Sequence, residues 1–268
     1  MNNKMKAIIL AAGQGQRLRP LTNDKPKCMV KLFGKSLLEW QIDVFRKLDI
    51  KDISVVTGYK KELISIDDVK FYHNSDFENT NMVETLFCAE KEFDDTSIIS
   101  YGDIIFETSI LQKLIESKEE FSIIVDKRWR DYWEIRNEDP LEDTESLRMD
   151  KSGHITSIGQ KVSDISEIQA QYIGLMKFQG DATNIIKKFY LEMKEKAKSG
   201  NNPLNSNIPF EKSYMTDLLY GLVKKGIKLK SVPIENGWLE LDTINDYEIY
   251  NNMNKNGSLS KIIDLEKL

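Results

Sequence analysis

Two glycines and an arginine, Gly13, Gly15 and Arg17, stand directly behind the apolar run Ala7 to Ala12. Glycine permits backbone conformations and close approaches that a Cβ blocks. Successive N–H groups in such a turn form a nest for an anion. Arg17 adds a planar, permanently charged fork that suits phosphate oxygens. The segment is not a P-loop, because no Gly-Lys-Ser/Thr ending follows. It is not G-x-G-x-x-G either, because Leu occupies position 18. On Gly13 and Gly15 alone, an ordinary strand-to-helix turn with an exposed arginine explains the pattern equally well.

Carboxylates supply the second kind of chemistry. Asp103 follows Gly102 at the end of the apolar run Ser97 to Tyr101, and open α/β sheets bind ligands at the carboxyl ends of their strands. Mg²⁺ is usually held by one or two carboxylates plus substrate phosphates, so Asp103 is a candidate Mg²⁺ ligand. The alternative is a turn or N-cap aspartate. In Trp238-Leu-Glu-Leu-Asp242 the alternation puts Glu240 and Asp242 on one face. Asp242 is the second candidate ligand, with helix capping as its alternative, and Glu240 is a supporting residue for a metal-bound water or an acceptor. His73 and His154, the two histidines, sit in no motif. No zinc-like Cys/His cluster and no Ser/His/Asp arrangement has an interpretable spacing.

The elements that must position these residues follow from hydrophobic periodicity. Ala7 to Ala12, Ile53 to Thr57, Val69 to His73, Ser97 to Tyr101 and Phe121 to Val125 read as short buried strands. Helices are expected from Ser36, where Ser36 and Glu39 form a capping box, over Thr80 to Phe93 and over Thr108 to Ser117. Strands alternating with helices imply a mostly parallel, Rossmann-like central sheet flanked by helices, an α/β fold. The pattern then changes. Leu147 to Met149 and His154 to Ile158 flank a hairpin-like turn, Asp150 to Gly153. Tyr172 to Phe178 is a strand, Thr183 to Lys198 and Thr216 to Lys225 are helices, Leu229 to Ile234 and Trp238 to Leu241 are strands, and Asp242 to Asn252 closes as a helix. Ser199 to Pro209, rich in Asn, Ser and Pro, is expected to be the mobile segment. No linker divides the chain, so residues 1–268 read as one domain, with about 127–171 a small mixed β lobe over the active site.

Bulk properties exclude several classes. The 268 residues carry a net charge of −5, which argues against tight sequence-independent binding of nucleic acid. No run of about 18 apolar residues exists, so no transmembrane helix and no membrane partner are expected. Met1 to Lys6 is polar and is not a signal peptide. Cys28 and Cys88, the two cysteines, form neither a C-x-x-C pair nor a disulfide framework, which suits a reducing cytoplasm. A homo-oligomer is among the assemblies that the sequence allows.

Taken as a whole, L-A-A-G-x-G-x-R-L-x-P-L-T followed by Lys25-Pro-Lys-Cys-Met-Val30 resembles the signature of the sugar-phosphate nucleotidylyltransferase superfamily. The resemblance implies that Leu10, Ala11, Ala12, Gly13 and Gly15 line base and ribose, with Gly15 and Arg17 along the triphosphate. It also implies that Lys27 bridges donor and acceptor phosphates, and that Asp103 and Asp242 hold Mg²⁺. Ser100 and Gly102 join the nucleotide-binding candidates. The reaction would be in-line attack of an acceptor oxygen on the α-phosphorus, with pyrophosphate leaving. That oxygen is already largely ionised near neutrality, since the second pKa of a phosphate monoester is about 6. No general base is then needed, and Arg17 and Lys27 act by charge and position.

Donor and acceptor are read from the middle of the chain. Asn79, Thr80 and Asn81 offer amides and a hydroxyl that could read a base or an acceptor, or they mark a helix start with Thr80 or Asn79 as its N-cap. Trp129, Tyr132 and Trp133 either pack in the core or form part of a pocket, and the interleaved cations, Arg128 among them, favour a pocket for a small anion, one with a cationic group included. Lys161 is a candidate phosphate or phosphonate ligand or a plain surface lysine. Glu142, Asp143 and Glu145 would attract an ammonium group or form a solvated loop. T-N-M-V, S-Y-G-D, W-R-D-Y-W, G-Q-K and Q-Y-I-G-L-M-K-F, which includes Tyr172, resemble the cytidylyltransferases of phosphonate, phosphocholine and phosphoglutamine metabolism. Gln169 stands where that branch leads one to expect Glu. The resemblance implies CTP as donor and 2-aminoethylphosphonate, phosphocholine or phosphoglutamine as acceptor, read by Lys161, Arg128, Trp133, Tyr172 and Glu240. A hexose-1-phosphate nucleotidylyltransferase is the rival enzyme. A non-catalytic regulatory subunit is the rival of another class, and it conflicts with the retention of Arg17, Lys27, Asp103 and Asp242.

Overall fold

A computed structural model describes residues 5–137, 139, 141 and 144–268. In chain order the elements begin with β1 (Met5–Ala11), β2 (Lys31–Leu32), β3 (Lys35–Ser36), α1 (Leu37–Lys47), β4 (Asp52–Thr57) and β5 (Lys70–His73). Then come α2 (Met82–Phe87), β6 (Thr96–Tyr101), β7 (Ile104–Phe106), α3 (Thr108–Glu116), β8 (Phe121–Asp126) and α4 (Trp129–Arg136). The second half holds β9 (Leu147–Met149), β10 (Ile155–Ile158), β11 (Gln171–Gln179), α5 (Ala182–Ala197), α6 (Met215–Lys224), β12 (Lys230–Ile234), β13 (Trp238–Glu240) and α7 (Ile244–Lys255).

Among the described residues, seven strands form one sheet in the order β12-β8-β11-β6-β1-β4-β5. β1 runs parallel to β4 and β6, and β11 runs antiparallel to β6 and β8. The sheet is therefore mostly parallel, as the alternation of strands and helices implies. Its strands are apolar on both faces because both faces are covered. Ala7, Ile9 and Ala11 of β1 face the core that also holds α1 and α3, while Ile8 and Leu10 face the core under α5 and α6. The chain leaves β1 toward β4 and β5 and later returns to β1's other side as β6. The crevice beyond the ends of β1 and β6 is thus a topological switch point, where such sheets bind ligands.

One expectation is corrected, and two features add to the reading. The helix expected over Thr80 to Phe93 is only α2, followed by a short 3-10 turn at Glu90–Glu92. Trp129–Arg136 is a helix that the sequence pattern did not announce, because its apolar face is almost wholly aromatic. The polar 199–209 loop is tied to the segment around the start of α6 by side-chain hydrogen bonds. Asn202 Nδ2 donates to Ser213 Oγ at 2.9 Å, Asn205 Nδ2 donates to Asp217 Oδ1 at 3.0 Å, and Leu204 is buried.

Candidate active site

The glycine-rich segment leaves β1 and turns at Gly15, whose φ is +64°. A Cβ there would lie 2.9 Å from Lys27 Cβ, so glycine is required both by conformation and by space. Thr22 Oγ1 donates to Gly15 O at 2.7 Å and closes the loop. At the end of β6 the Gly102 N–H donates to Leu10 O at 2.8 Å. A Cβ on Gly102 would meet that same oxygen at 2.7 Å, so the two strand ends touch backbone to backbone.

This contact borders the first cleft, which lies at the switch point beyond the ends of β1 and β6. Leu10, Ala11, Ala12, Gly13 and Gly102 line it, together with Lys27, Asp103, Thr80 and Asn81. Phe77, Met82 and Thr85 complete its wall. Asn81 accepts from the Met82 N–H and is the cap of α2, the role that the sequence divided between Asn79 and Thr80. Thr80 Oγ1 accepts from Asn74 Nδ2 at 2.8 Å, and the same amide donates to Thr85 Oγ1 at 3.0 Å. Asn74 therefore holds two of the wall's hydroxyls from behind.

The second cleft lies beside the first, and Tyr101 and Met82 border both. Its lining includes Arg17, Lys161, Glu145, Glu240 and Asp242 among aromatic side chains of Trp133, Tyr172, Tyr214 and Trp238. Trp129, Tyr132 and Trp133 are all buried, which favours the core for the first two, while Trp133 also reaches this cleft.

Lys27 joins the two clefts. Its Nζ donates to Asp103 Oδ2 at 2.7 Å and to Asp242 Oδ1 at 2.9 Å. Burial opposes the charge, but Asp103, Asp242 and Glu240 outweigh it and hold the ammonium above its ordinary pKa. Asp242 responds in the opposite sense. Burial raises its pKa, and Lys27 and Arg17 more than offset this, so the carboxyl lies below its ordinary value. Arg17, on a largely exposed 3-10 turn, forms an ion pair with the other Asp242 oxygen. Burial pushes the Glu240 carboxyl up, against the pull of Arg136, with Asp103 and Asp242 adding to the rise.

Two devices that the sequence reading missed bring the aspartates together. β7 pairs antiparallel with β13, matching Ile104 with Glu240, and the Leu241 N–H donates to Asp103 O at 2.9 Å. The residue before β7 and the residue two beyond β13 thus become neighbours. Gln41 of α1 is fully buried and donates to both Tyr101 O and Ile104 O at 2.8 Å, clamping the turn that carries Asp103. A polar residue on the buried stripe of an amphipathic helix was the available signal.

Some candidates lie elsewhere. Ser100 is buried against α1 and donates to Gln41 Oε1 at 2.7 Å, so it supports the turn and does not line either cleft. Arg128 is exposed, pairs with Asp131 through Nε at 2.9 Å, and does not border the second cleft. Gln169 Oε1 accepts from the Met149 N–H on the outer hairpin, away from both clefts. Glu142 and Asp143 lie outside the described residues.

A divalent cation fits the aspartate pair. The two carboxylates already converge on one cation, and Asp103 Oδ1 is buried with no hydrogen-bond partner among the described residues. No group of three or more His, Cys, Asp or Glu forms a metal cage among those residues. Two carboxylates match an ion that takes its remaining ligands from water and phosphate.

Residues 7–156 match the MobA-like NTP transferase domain. The chain is 41% identical to CTP:phosphoglutamine cytidylyltransferase of Campylobacter jejuni, over 91% of this chain and 98% of that one. It is 34% identical to choline-phosphate cytidylyltransferase of Streptococcus pneumoniae over 42% of this chain and 51% of that one. The solved CTP:phosphocholine cytidylyltransferase of Streptococcus pneumoniae superposes with a TM-score of 0.69 at 22% identity, covering 93% of this chain and 99% of that one.

Proposed function

This chain belongs to the MobA-like NTP transferase domain family, and on that premise we propose that it is a CTP-dependent cytidylyltransferase. It joins a cytidylyl group to a small phosphate-monoester or phosphonate acceptor and releases pyrophosphate. The observation that carries this reading is the meeting of two clefts at Lys27, Asp103 and Asp242. One cleft has the glycine loop as its floor, and the other mixes aromatic, cationic and acidic side chains. Phosphoglutamine leads the candidate acceptors, because the relative named for it matches nearly the whole chain. Phosphocholine and 2-aminoethylphosphonate follow.

In this reading the first cleft holds the nucleotide against Leu10 to Gly13, with Thr80 and Asn81 at the base. Arg17 and the N–H groups around Gly15 face the triphosphate and neutralise it. Lys27 stands where donor and acceptor phosphates meet, and the surrounding carboxylates keep it protonated. Bound Mg²⁺, held by Asp103 and Asp242, would supply charge neutralisation at the reacting phosphates. The acceptor occupies the second cleft between Tyr172 and Trp133, within reach of Lys161 and Glu240, and residues 127–171 form the lobe that shapes it. Its attacking oxygen is already ionised, so the residues orient it and exclude water without taking a proton. No helix among the described residues is long and apolar enough to cross a membrane. The net charge of −5 argues against tight sequence-independent binding of nucleic acid, and two free thiols suit the cytoplasm.

Pyrophosphate release across four nucleoside triphosphates and four acceptors, with Mg²⁺, tests the proposal. The acceptors are phosphoglutamine, phosphocholine, 2-aminoethylphosphonate and glucose-1-phosphate. Release with CTP and a non-sugar acceptor supports it, and release with glucose-1-phosphate alone moves the chain to the hexose enzymes.

A further inference from the structure

Arg136 ends α4, on the lobe side of the second cleft, and its side chain is 2% exposed. Its guanidinium is used on three sides. Nε donates to Asp246 Oδ1 at 2.9 Å, Nη2 to Asp246 Oδ2 at 3.2 Å, and Nη1 to Glu240 Oε2 at 2.8 Å. The rings of Tyr132 and Trp133 lie 5.3 Å from its carbon, so the plane of the fork is fixed by packing as well as by ion pairs. Asp246 passes the constraint on. Its Oδ2 accepts from the backbone N–H of Asp242 at 3.0 Å and of Thr243 at 2.8 Å, while its own N–H donates to Thr243 Oγ1 at 3.1 Å.

A capping box alone would need only Thr243 and Asp246. The buried arginine does more. It locks the Asp246 carboxylate in one rotamer, so that the two backbone N–H groups have one place to point. The same guanidinium holds Glu240, two residues before Asp242, from the other side. The turn 240–243 is thus gripped at both ends by one planar cation that belongs to the lobe. A buried ion pair is weak evidence of stabilisation, because well-packed apolar side chains often do as well or better. What the fork supplies here is direction.

We propose that Arg136 is a positioning residue that, through Asp246 and Glu240, aims the Asp242 carboxylate at the reacting phosphates. This rests on the reading of Asp242 as a ligand of a divalent ion. A lysine at 136 keeps the charge and loses the fork, so it tests direction without stranding two buried acids. Asp246→Asn tests the second link independently.

The experiment is calorimetric titration of CTP without acceptor, in Mn²⁺ and separately in EDTA, on the full chain. The quantity read is the gain in CTP affinity that the metal confers. Arg136→Lys and Asp246→Asn should each reduce that gain about ten-fold, the scale of losing an outer-shell partner of a metal ligand, with CTP affinity in EDTA unchanged. Equal loss in Mn²⁺ and in EDTA would mean a merely structural role and would overturn the inference. A full metal-dependent gain in Arg136→Lys, beside its loss in Asp242→Asn, would overturn it and leave the metal site standing. A full gain in Asp242→Asn would remove the metal-ligand reading and the inference together.

Discussion

Lys27 Nζ lies 2.7 Å from Asp103 Oδ2 and 2.9 Å from Asp242 Oδ1, so one ammonium closes the gap between two carboxylates that are 139 positions apart in the chain. Lys27→Met removes this charge. Turnover should fall by about two to three orders of magnitude, the scale of losing one preorganised charge-stabilising donor. Lys27→Arg should not restore it, because a planar fork cannot take the place of a compact ammonium between two acids. Steady-state pyrophosphate release measures both.

Asp103→Ala should lower Mg²⁺-dependent turnover by about two orders of magnitude or more. The side chain ends in the cleft and its Oδ1 has no protein partner among the described residues, so the fold should survive. Near-normal turnover across a Mg²⁺ titration would show that Asp103 is not the ligand.

Gln41→Leu keeps the shape of the α1 residue but removes its bonds to Tyr101 O, Ile104 O and the Ser100 hydroxyl, leaving Ile104 O without its side-chain donor and Ser100 Oγ with only Tyr101 O at 3.3 Å. Unsatisfied buried groups cost about 1–3 kcal/mol each, so urea denaturation should show a loss in at least this range. Turnover should fall as well, because the same turn carries Asp103.

Lys161 is exposed and lines only the second cleft. Lys161→Ala should raise the acceptor KM about ten-fold, the effect of losing one charge-assisted hydrogen bond, with the KM for CTP and the thermal midpoint unchanged. An equal rise in both KM values would place Lys161 on the nucleotide side.

Lys177 is buried in β11 and donates to Ile115 O at 3.2 Å and to Ser117 O at the end of α3. Burial, with Lys118 adding repulsion, lowers its pKa from the ordinary 10.5 to about 8. Between these values the unfolded chain holds a proton that the folded chain has released, so this group's contribution to stability rises with pH. Below pH 8 both states are protonated and the cost of burying the charge is at its full value. The stability of the wild type relative to Lys177→Met should therefore climb between pH 8 and 10.5, by up to about 3 kcal/mol. A flat difference across that window, in urea denaturation at several pH values, would show that Lys177 is not depressed.

The sequence by itself determined the parts of this protein that are local in the chain. β1, the glycine loop, Arg17, Lys27 and the capping box of α1 are written in consecutive residues, and period-2 and period-3.6 patterns mark the sheet and its helices. The tertiary structure decided which distant pieces meet. The short pairing of β7 with β13 brings Asp103 beside Asp242, and no pattern of three residues announces such a pairing. Gln41 and Arg136 reveal their work only once their buried partners are known. Ser100 and Arg128 sat near the right motifs, yet one turns into the α1 core and the other out to Asp131. The reason is physical. Backbone propensity and amphipathic spacing act over a few residues and are legible in order, whereas the direction of a side chain is set by contacts whose partners lie a hundred residues away.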